Sequence, residues 1–523
     1  MGSILQYTKI HLKQMFGAHP VTTFLYVVSP IALYAIFYII ALNNQQKYKN
    51  DEIAKHMGIT IVFYVLYLPL TFKAAVDIIR EKQMYRRQHL FTYGFGLFKF
   101  YLAWTLIYII LMLPSLIAIT VAMYFMKIFS HTNIFILFII FALHQLSIVT
   151  VSFWFAAYFK KPSLGGIISV IIDLLIVASY VPLTYNVYYR VKKEFNQNHS
   201  VTTIGKINAD LQLADMNNEN INFFTLFSSK YLWLNLNILS LLSMTVIFII
   251  LGLFSDIFYL SGHMIRDRSD KKMKDQYLYE CGKVHYDNKN YFSEDENVRI
   301  KSENLFKKYD SSATDFNRNI AVSNASFEIY DQELVAIVGK NGAGKSTLMK
   351  MLYGRLASSY GKVKIDNKTL NYKNWSSISK KMNTAPKEEY VSFQNASVAD
   401  HIKLYTSMCS PIEDGFQLLK RLNFNRSFNS KIKSLNEVEK NKVKIVLALI
   451  KNSEFVFLEE PTTLMNKEDQ QYFWNVIHSL TKKRIIIFST LSVDEAYNND
   501  HDCIQFTIFY NEDTMRILIS FIN

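Results

Sequence analysis

A glycine-rich run in the second half of the chain is the segment whose residue types best suit chemistry on phosphates. It fits the pattern G-x-x-x-x-G-K-[ST] from Gly339 to Ser346. Glycines let the backbone wrap around a phosphate chain without Cβ clashes, so that consecutive N–H groups point inward. In this pattern the lysine reaches the β- and γ-phosphates and the hydroxyl binds Mg²⁺, and these roles fall to Lys345 and Ser346. The residues predicted to bind a nucleoside triphosphate, expected to be ATP, are Gly339, Lys340, Asn341, Gly342, Ala343, Gly344, Lys345, Ser346 and Thr347.

The elements on either side of this run are those that a phosphate loop requires. An apolar strand is predicted over Leu334–Val338, directly before the run, and a helix over Leu348–Leu352, directly after it. The helix would add its positive N-terminal end to the site. The alternative is a glycine turn that binds nothing, and the coincidence of strand, loop, Lys-Ser pair and helix argues against it.

Two adjacent carboxylates follow a second apolar strand. The run Phe455–Leu458 leads into Glu459 and Glu460. Downstream of a phosphate loop, the first acid is expected to hold Mg²⁺, directly or through water, and the second to polarise the attacking water. We therefore predict Glu459 as a metal ligand, together with Ser346, and Glu460 as the catalytic residue. Two exposed acids without a ligand, at the end of a strand, are the alternative.

The first half of the chain has the composition of a membrane domain. Over the whole chain, hydrophobic residues make up 50% and charged residues 19%, against about a quarter charged in soluble proteins. Six apolar runs precede residue 262, each about long enough to cross the hydrocarbon core as a helix. We predict a six-helix transmembrane domain over 21–260, after an amphipathic interfacial helix over 1–20. The runs are Thr22–Leu42, Gly58–Ile79, Leu97–Phe125, Ile134–Phe159, Leu164–Leu183 and Leu232–Phe254.

The second half reads as a separate α/β domain. Residues 261–297 are polar and charged, which indicates a linker. Beyond them, strand patterns at Val298–Ile300 and Ala325–Ile329 lead into the phosphate-loop unit. We predict a P-loop NTPase domain over 298–523, so that the whole chain combines an α-helical transmembrane domain with an α/β nucleotide-binding domain.

The net charge of +14 is compatible with nucleic acid or with an anionic membrane leaflet as the partner. The positions of the basic residues favour the membrane, because they cluster beside the apolar runs and define cytoplasmic loops by the positive-inside rule. This orientation also places the phosphate loop on the side where ATP is found. We therefore expect no nucleic-acid partner. The clustered residues are Arg80, Lys82, Arg86, Arg87, Lys160, Lys161, Arg266, Arg268, Lys271, Lys272 and Lys274.

The sequence leaves open the roles of two residues outside the nucleotide site. Asp173 is an ionisable residue inside the fifth apolar run, where it either serves transport or only packs against a neighbouring helix. Asn198 begins a short glycosylation sequon on the non-cytoplasmic side, and chance explains such a pattern as well as use does.

These features together resemble a half-transporter of the ATP-binding cassette (ABC) superfamily. The segments Asn304–Tyr309, Leu251–Asp256 and Asp77–Lys82 are similar to subfamily A, whose better-known members export lipids. The resemblance implies that Tyr309 stacks on adenine, a role that suits an aromatic face. It also implies a helix after the second span that contacts the nucleotide-binding domain. Cassettes of this family work as pairs, each ATP being held between one phosphate loop and the partner's signature segment.

The signature segment departs from the family pattern. The family has Leu-Ser-Gly-Gly-Gln at the start of a helix, where glycines let backbone N–H groups approach a γ-phosphate. Here Val438 adds bulk, and Glu437 and Glu439 bring negative charge. One such charge about 5 Å from an anion costs on the order of 3 kcal/mol at an effective dielectric of 20. The residues of this degenerate signature are Leu435, Asn436, Glu437, Val438 and Glu439.

Four more places depart from the pattern. Leu491 stands where the family has a switch histidine, and losing one such donor typically costs about 10²–10³ in rate. Lys387 takes the place of the glutamine that senses Mg²⁺, and an ammonium cannot ligate a metal. The segment Leu464–Asn466 replaces Gly-Leu-Asp, and Glu459 replaces an aspartate, which disturbs the tight geometry that Mg²⁺ demands.

Two functions follow from the resemblance. The first is a half-transporter that binds ATP with Mg²⁺ and moves a lipid or another hydrophobic solute, with weak hydrolysis of its own. The second is a catalytically inactive, ATP-sensing regulatory subunit that sets a partner's conformation. Because a homodimer would combine every departure in both sites, we expect a heterodimer with another half-transporter.

Overall fold

The computed structural model describes residues 2–18, 20–43, 52–84, 86–125, 132–159, 161–175, 221, 232–264, 297–309, 320–386, 393–409, 414–481, 484–497, 503–510 and 517–522. The chain divides into two compact units. The helical unit comprises His11–Tyr85 and Leu97–Ile257, and the sheet unit comprises Met1–Ile10, Arg86–Gly96 and Phe258–Asn523. The predicted linker and the sequon at Asn198 lie largely or wholly outside the described residues.

Long apolar helices build the helical unit. Helix α3 packs against α2 and α6, and α5 packs against the same two helices. Helices α1 and α8 each continue into the sheet unit, and the short helix α4 belongs to the sheet unit altogether. The bounds are α1 Gly2–Ala18, α2 Pro20–Asn43, α3 Glu52–Gln83, α4 Arg86–Thr92, α5 Leu97–Phe125, α6 Ile134–Ala156, α7 Pro162–Leu175 and α8 Leu232–Met264.

Three described helices are long and apolar enough to cross a membrane: Leu97–Phe125, Ile134–Ala156 and the stretch Ile238–Asp256 of α8. A fourth results if the bent pair Gly2–Ala18 and Thr23–Ala35, whose axes meet at 84°, counts as one span. The predicted fifth run, Leu164–Leu183, overlaps α7 up to Leu175, and the rest of the run lies outside the described residues. Three of the six predicted spans are thus represented by helices that meet both criteria, and six spans stay a prediction.

Several polar side chains inside the helical unit are paired with one another. The Lys73 ammonium lies 2.9 Å from a carboxylate oxygen of Asp77. The hydroxyl of Tyr101 donates to the fully buried carboxylate of Asp256. Asp173 is also buried in this unit. Burying polar groups costs free energy unless they are hydrogen-bonded, so these pairs keep the apolar helices in one arrangement.

Two sheets form the framework of the sheet unit. An antiparallel sheet has the strand order β2-β1-β4-β5, and a six-stranded sheet has the order β10-β9-β3-β8-β7-β6. In the six-stranded sheet all neighbours are parallel except β10, which is antiparallel to β9. The bounds are β1 Val298–Lys308, β2 Ile320–Tyr330, β3 Leu334–Val338, β4 Tyr360–Ile365, β5 Lys368–Thr369, β6 Met382–Ala385, β7 Phe455–Glu459, β8 Ile485–Thr490, β9 Cys503–Tyr510 and β10 Ile517–Ile522.

The central strands β3, β7 and β8 are buried along their whole length, as continuous apolar runs in a parallel sheet should be. The predicted strands at Val298–Ile300 and Ala325–Ile329 lie inside β1 and β2, and Leu334–Val338 is β3 itself. The α/β prediction for this part of the chain is therefore confirmed. Its helices are α9 Lys345–Leu352, α10 Tyr372–Ile378, α11 Val398–Thr406, α12 Gly415–Arg421, α13 Glu437–Ile450, α14 Lys467–Thr481 and α15 Val493–Tyr497.

Candidate functional site

The carboxyl ends of β3, β7 and β8 meet at one edge of the six-stranded sheet. Val338 pairs with Thr490, and Glu459 pairs with Ser489, in the parallel register. The amide of Gly339 donates to the Thr490 carbonyl over 3.3 Å. Because of this register, the start of the glycine loop, the two carboxylates and the predicted switch position all lie at the same edge of the sheet. Ligands of open α/β sheets bind at this kind of edge.

The glycine loop has the backbone conformation that the phosphate-binding pattern requires. Gly342 and Gly344 have φ angles of 84° and 86°, in the left-handed region that disfavours side chains. Gly344 is also the N-cap residue of α9, so the loop turns directly into a helix start. The Lys345 side chain is buried and folds back over the loop, donating to the carbonyls of Gly339 at 2.6 Å and Lys340 at 3.0 Å. Its ammonium therefore already lies over the loop that would hold the phosphates.

The two predicted acids are both buried at this edge. Glu459 accepts a hydrogen bond from the hydroxyl of Tyr353, 2.9 Å away. The amide of Glu460 donates to the carbonyl and to the hydroxyl of Ser489, each at 3.1 Å. Glu460 has a φ of 46°, a strained value for a residue with a side chain. The two hydrogen bonds to Ser489 hold Glu460 in this strained conformation. Such strain is common at functional residues, which suits an acid beside a phosphate loop.

Tyr309 lies beside the glycine loop. Its hydroxyl is 3.2 Å from Oγ1 of Thr347, and its ring is partly exposed. The ammonium of Lys307 lies 5.6 Å from the ring centre, which is a cation–π distance. An exposed aromatic face next to the phosphate loop is what stacking on a nucleotide base needs.

The signature segment is capped by its own side chains. The Asn436 side chain accepts from the amide of Glu439 at 2.7 Å, and the Glu439 carboxylate accepts from the amide of Asn436 at 2.9 Å. This capping box satisfies N–H groups that a phosphate at the helix start would need. The remaining oxygen of Glu439 faces Arg426, and Glu437 pairs with Lys440. The sequence predicted added bulk at Val438 and repulsion by the two glutamates; the structure adds that the amides of Asn436 and Glu439 already have acceptors.

All but one of the other departing positions lie within the described residues. Leu491 is exposed directly after β8, where the hydroxyl of Thr490 is engaged by Glu495. Leu464 is 70% exposed with a φ of 72°, an unusual combination for a leucine and one that a glycine would relieve. Asn466 accepts from the amide of Asp469 and so caps α14. Lys387 lies outside the described residues.

Sequence reasoning missed the residues that support the site. Tyr353 and Ser489 position the two acids, yet they lie far from them in the chain. No short motif marks such residues, because the pairing exists only once the sheet has formed. The capping box was visible as Asn-x-x-Glu before an apolar helix.

A loop of left-handed glycines, a buried lysine and two acids at the end of a parallel strand define a P-loop nucleotide-binding domain. Residues 322–463 match the model of the ABC transporter family. The sheet unit therefore carries an ABC transporter domain, a class that uses ATP with Mg²⁺, and 84–86% of the chain is similar to members of subfamily A.

Three relatives show what the chain is similar to, and the first two are members of subfamily A. The chain is 21% identical over 472 residues to ABC transporter A family member 2 of Dictyostelium discoideum, covering 86% of this chain and 28% of that protein. It is 23% identical over 461 residues to the cholesterol transporter ABCA5 of Mus musculus, covering 84% and 28%. It is 30% identical over 192 residues to the ribose import ATP-binding protein RbsA of Clostridium perfringens (strain SM101 / Type A), covering 35% and 38%. The chain thus spans well under half the length of these relatives.

The residues present fit ATP with Mg²⁺. Among the described residues, no group of three His, Cys, Asp or Glu side chains could hold a metal ion by itself. Ser346 and Glu459 would hold Mg²⁺ together with phosphate oxygens, which is how this ion is usually held in such sites. Bound Mg²⁺ would neutralise charge on the β- and γ-phosphates. Lys345 would turn from the loop carbonyls to the phosphates, and Glu460 would orient water.

Proposed function

We propose that the chain is one half of an ABC-type transporter, which binds ATP with Mg²⁺ and couples binding to movement of a lipid or another hydrophobic solute across a membrane. One observation carries this proposal: an ATP site at the edge of β3 and β7 belongs to the same chain as three helices that can span a membrane. The similarity to a cholesterol transporter supports a hydrophobic solute.

Weak hydrolysis by this chain alone is part of the proposal. The capping box of Asn436 and Glu439 occupies donors that would otherwise face a γ-phosphate. Leu491 offers no hydrogen bond at the switch position. Each of these changes removes stabilisation of the transferred phosphoryl group, and one lost donor is worth about 10²–10³ in rate. A homodimer would carry both changes in both sites, so a different half-transporter is the favoured partner.

A regulatory subunit is the second candidate, and the same capped signature favours it. If this segment never holds a partner's nucleotide, the chain can still bind ATP at its own glycine loop. Binding would then shift the conformation of a partner that performs the turnover. The two functions differ in whether this chain's ATP site drives solute movement.

The test uses the full chain, isolated in mild detergent with any protein that co-purifies, and reconstituted in liposomes. We expect the wild type to bind a fluorescent ATP analogue, and Lys345→Ala to lose that binding by at least about tenfold. Lys368→Ala, an exposed lysine on β5, is the matched control and should bind normally. Fast ATP hydrolysis by the chain alone, abolished in Glu460→Gln, would contradict the weak-hydrolysis part.

Solute movement distinguishes the two candidates. Transfer of a fluorescent lipid between leaflets is followed by chemical quenching from outside the liposome. A half-transporter should move lipid only with ATP and with its partner, and Lys345→Ala should stop it. A regulatory subunit is supported if the complex turns over ATP but lipid transfer never exceeds that of empty liposomes.

A further inference from the structure

The strand that leads to Tyr309 carries a lysine that lies against the tyrosine ring. Lys307 is two residues before Tyr309, and residues i and i+2 of an extended chain project to the same side. The Lys307 ammonium lies over the Tyr309 ring, 5.6 Å from its centre. A cation within about 6 Å of a ring centre is attracted by the negative charge of the ring face. One face of the ring is therefore occupied by Lys307, and a base can stack only on the opposite face.

The Lys307 side chain is held at both of its ends. Its ammonium donates to the carbonyl of Ala357 at 2.7 Å, in the segment between α9 and β4. The same segment also holds the backbone on either side of the lysine. The Ser359 amide donates to the Phe306 carbonyl at 2.8 Å, and the Lys308 amide donates to the Ser359 hydroxyl at 3.2 Å. The position of the cation over the ring is thus set by hydrogen bonds at the strand and at the ammonium.

Tyr309 is also tied to the helix that begins at the glycine loop. Its hydroxyl lies 3.2 Å from Oγ1 of Thr347, the third residue of α9. Ala357, the partner of Lys307, follows the C-terminal end of the same helix. The ring is therefore held through its own hydroxyl at one end of α9 and through Lys307 at the other. This arrangement fixes the distance between the aromatic face and the glycine loop before a nucleotide binds, which lowers the cost of binding.

We propose that Lys307 is a positioning residue for nucleotide binding, which holds the Tyr309 ring as a one-sided stacking platform for the base. This inference rests on the proposed function, since it requires the glycine loop to bind ATP. Lys307 acts on the base through Tyr309, so it should not change the affinity of the glycine loop for phosphates. Inorganic tripolyphosphate has the phosphates but no base. The ratio of its Kd to that of ATP therefore measures what the base contributes.

Four variants isolate the lysine, the ring and the charge. Lys307→Met keeps the side-chain length and removes the ammonium, whereas Lys307→Arg keeps a cation with hydrogen-bond donors and is the conservative rescue. Tyr309→Ala removes the platform. Lys308→Met removes the same charge from the next residue and keeps the backbone amide that binds Ser359. It is the matched control for the effect of one positive charge on an anionic ligand.

The measurement uses the full chain in lipid nanodiscs with Mg²⁺, where each compound displaces a ribose-labelled fluorescent ATP analogue. In wild type we expect ATP to bind at least about tenfold more tightly than tripolyphosphate, as stacking of one base allows. Lys307→Met should weaken ATP about fivefold and tripolyphosphate less than about twofold. Lys307→Arg and Lys308→Met should keep the wild-type ratio. Tyr309→Ala should abolish the ratio, and adding Lys307→Met to it should change nothing further.

The platform is overturned if Lys307→Met weakens tripolyphosphate as much as ATP, because the lysine would then act on the phosphates or on the fold. It is also overturned if Lys307→Met still weakens ATP about fivefold when Tyr309 is already alanine. Equal affinities of wild type for ATP and tripolyphosphate would overturn the platform alone and leave phosphate binding at the glycine loop intact. If wild type binds neither compound, the proposed function fails, and the platform fails with it.

Discussion

His401 shows how a single buried residue ties stability to pH. Its Nε2 accepts from the amide of Phe393 at 2.8 Å, and its Nδ1 lies 2.8 Å from the carbonyl of Ser397. The neutral ring with its proton on Nδ1 satisfies both partners. A second proton would set two N–H groups against each other. Burial, with the charge of Arg86, lowers the pKa of His401 to about 4, although Asp400 and the Ser397 carbonyl act the other way.

We predict that this histidine makes the protein less stable in mild acid. Its pKa is lower in the folded state than the ordinary 6.5, so the unfolded chain binds the proton first. The stability it contributes is present above about pH 6.5 and is lost as pH falls towards 4, by at most about 3 kcal/mol. Denaturant unfolding of the full chain at pH 7 and pH 5 should show a smaller loss in His401→Gln than in wild type. Equal losses would contradict the prediction.

Leu491 is the second residue whose effect can be isolated. It follows Thr490, whose carbonyl holds the first amide of the glycine loop, so a longer polar side chain here would start beside the phosphate site. We predict that Leu491→His raises ATP hydrolysis by the chain alone less than about tenfold, because the signature segment stays capped. Colorimetric phosphate release measures this. A gain of a hundredfold would show that the switch position alone limits the rate.

At the scale of elements, variants at the start of α13 separate two effects of Glu439: its negative charge and its hydrogen bond to the Asn436 amide. Glu439→Gln keeps an acceptor for the Asn436 amide but removes the negative charge, and Glu439→Ala removes both. Because Arg426 already offsets the charge of Glu439, we predict that Glu439→Gln changes ATP turnover of the partnered complex less than twofold. Glu439→Ala should raise turnover several-fold, at a cost of about 1 kcal/mol in stability from the lost capping box.

The outcome that would contradict this argument is an equal gain in both Glu439 variants, since that would make charge the obstacle. A rise in ATP turnover with no loss of stability in Glu439→Ala would show that the capping box contributes little to the fold. The unfolding midpoint of each variant, measured in the same preparation, separates these outcomes.

Elements whose signals are local could be predicted from the sequence. The runs Leu334–Val338 and Phe455–Leu458 are continuously apolar and lie in strands, and the helix after the glycine loop begins where a left-handed glycine caps it. The structure shows that these parallel strands end at one edge of the sheet, where ligands of such sheets bind. The candidate nucleotide site was therefore predictable from its own residues.

The supports of the site could not be predicted, because their partners are remote in the chain. Lys307 and Ala357 are 50 residues apart, and Tyr353 and Glu459 are 106 apart. Periodicity reports which face of an element is buried but does not identify the residue opposite. The capping box at the start of α13 is a different case, because its Asn-x-x-Glu pattern is local and predictable from the sequence. The interpretation of this segment as a degenerate signature did not include it.

At the scale of the whole molecule, the outer face of α8 is the feature that needs an explanation. Only 17% of the residues in its apolar window are buried inside the protein. Leu239, Leu242, Val246 and Ile250 are all exposed and lie three or four residues apart, which forms a stripe along one side of the helix. An apolar stripe of this length is unfavourable in water and favourable in hydrocarbon.

We predict that a charge on this stripe disrupts membrane integration, whereas the same change on the sheet unit does not. Val246 and Val493 are 50% and 47% exposed, so they form a matched pair. Val246→Arg places a charge within a span and should cost about 3 kcal/mol of insertion free energy, whereas Val493→Arg exposes its charge to water. The fraction of chain that resists alkaline extraction from membranes should fall in Val246→Arg alone. Equal retention in both variants would mean that this face of α8 is not in contact with lipid, and the membrane role of the helical unit would then have to rest on α5 and α6.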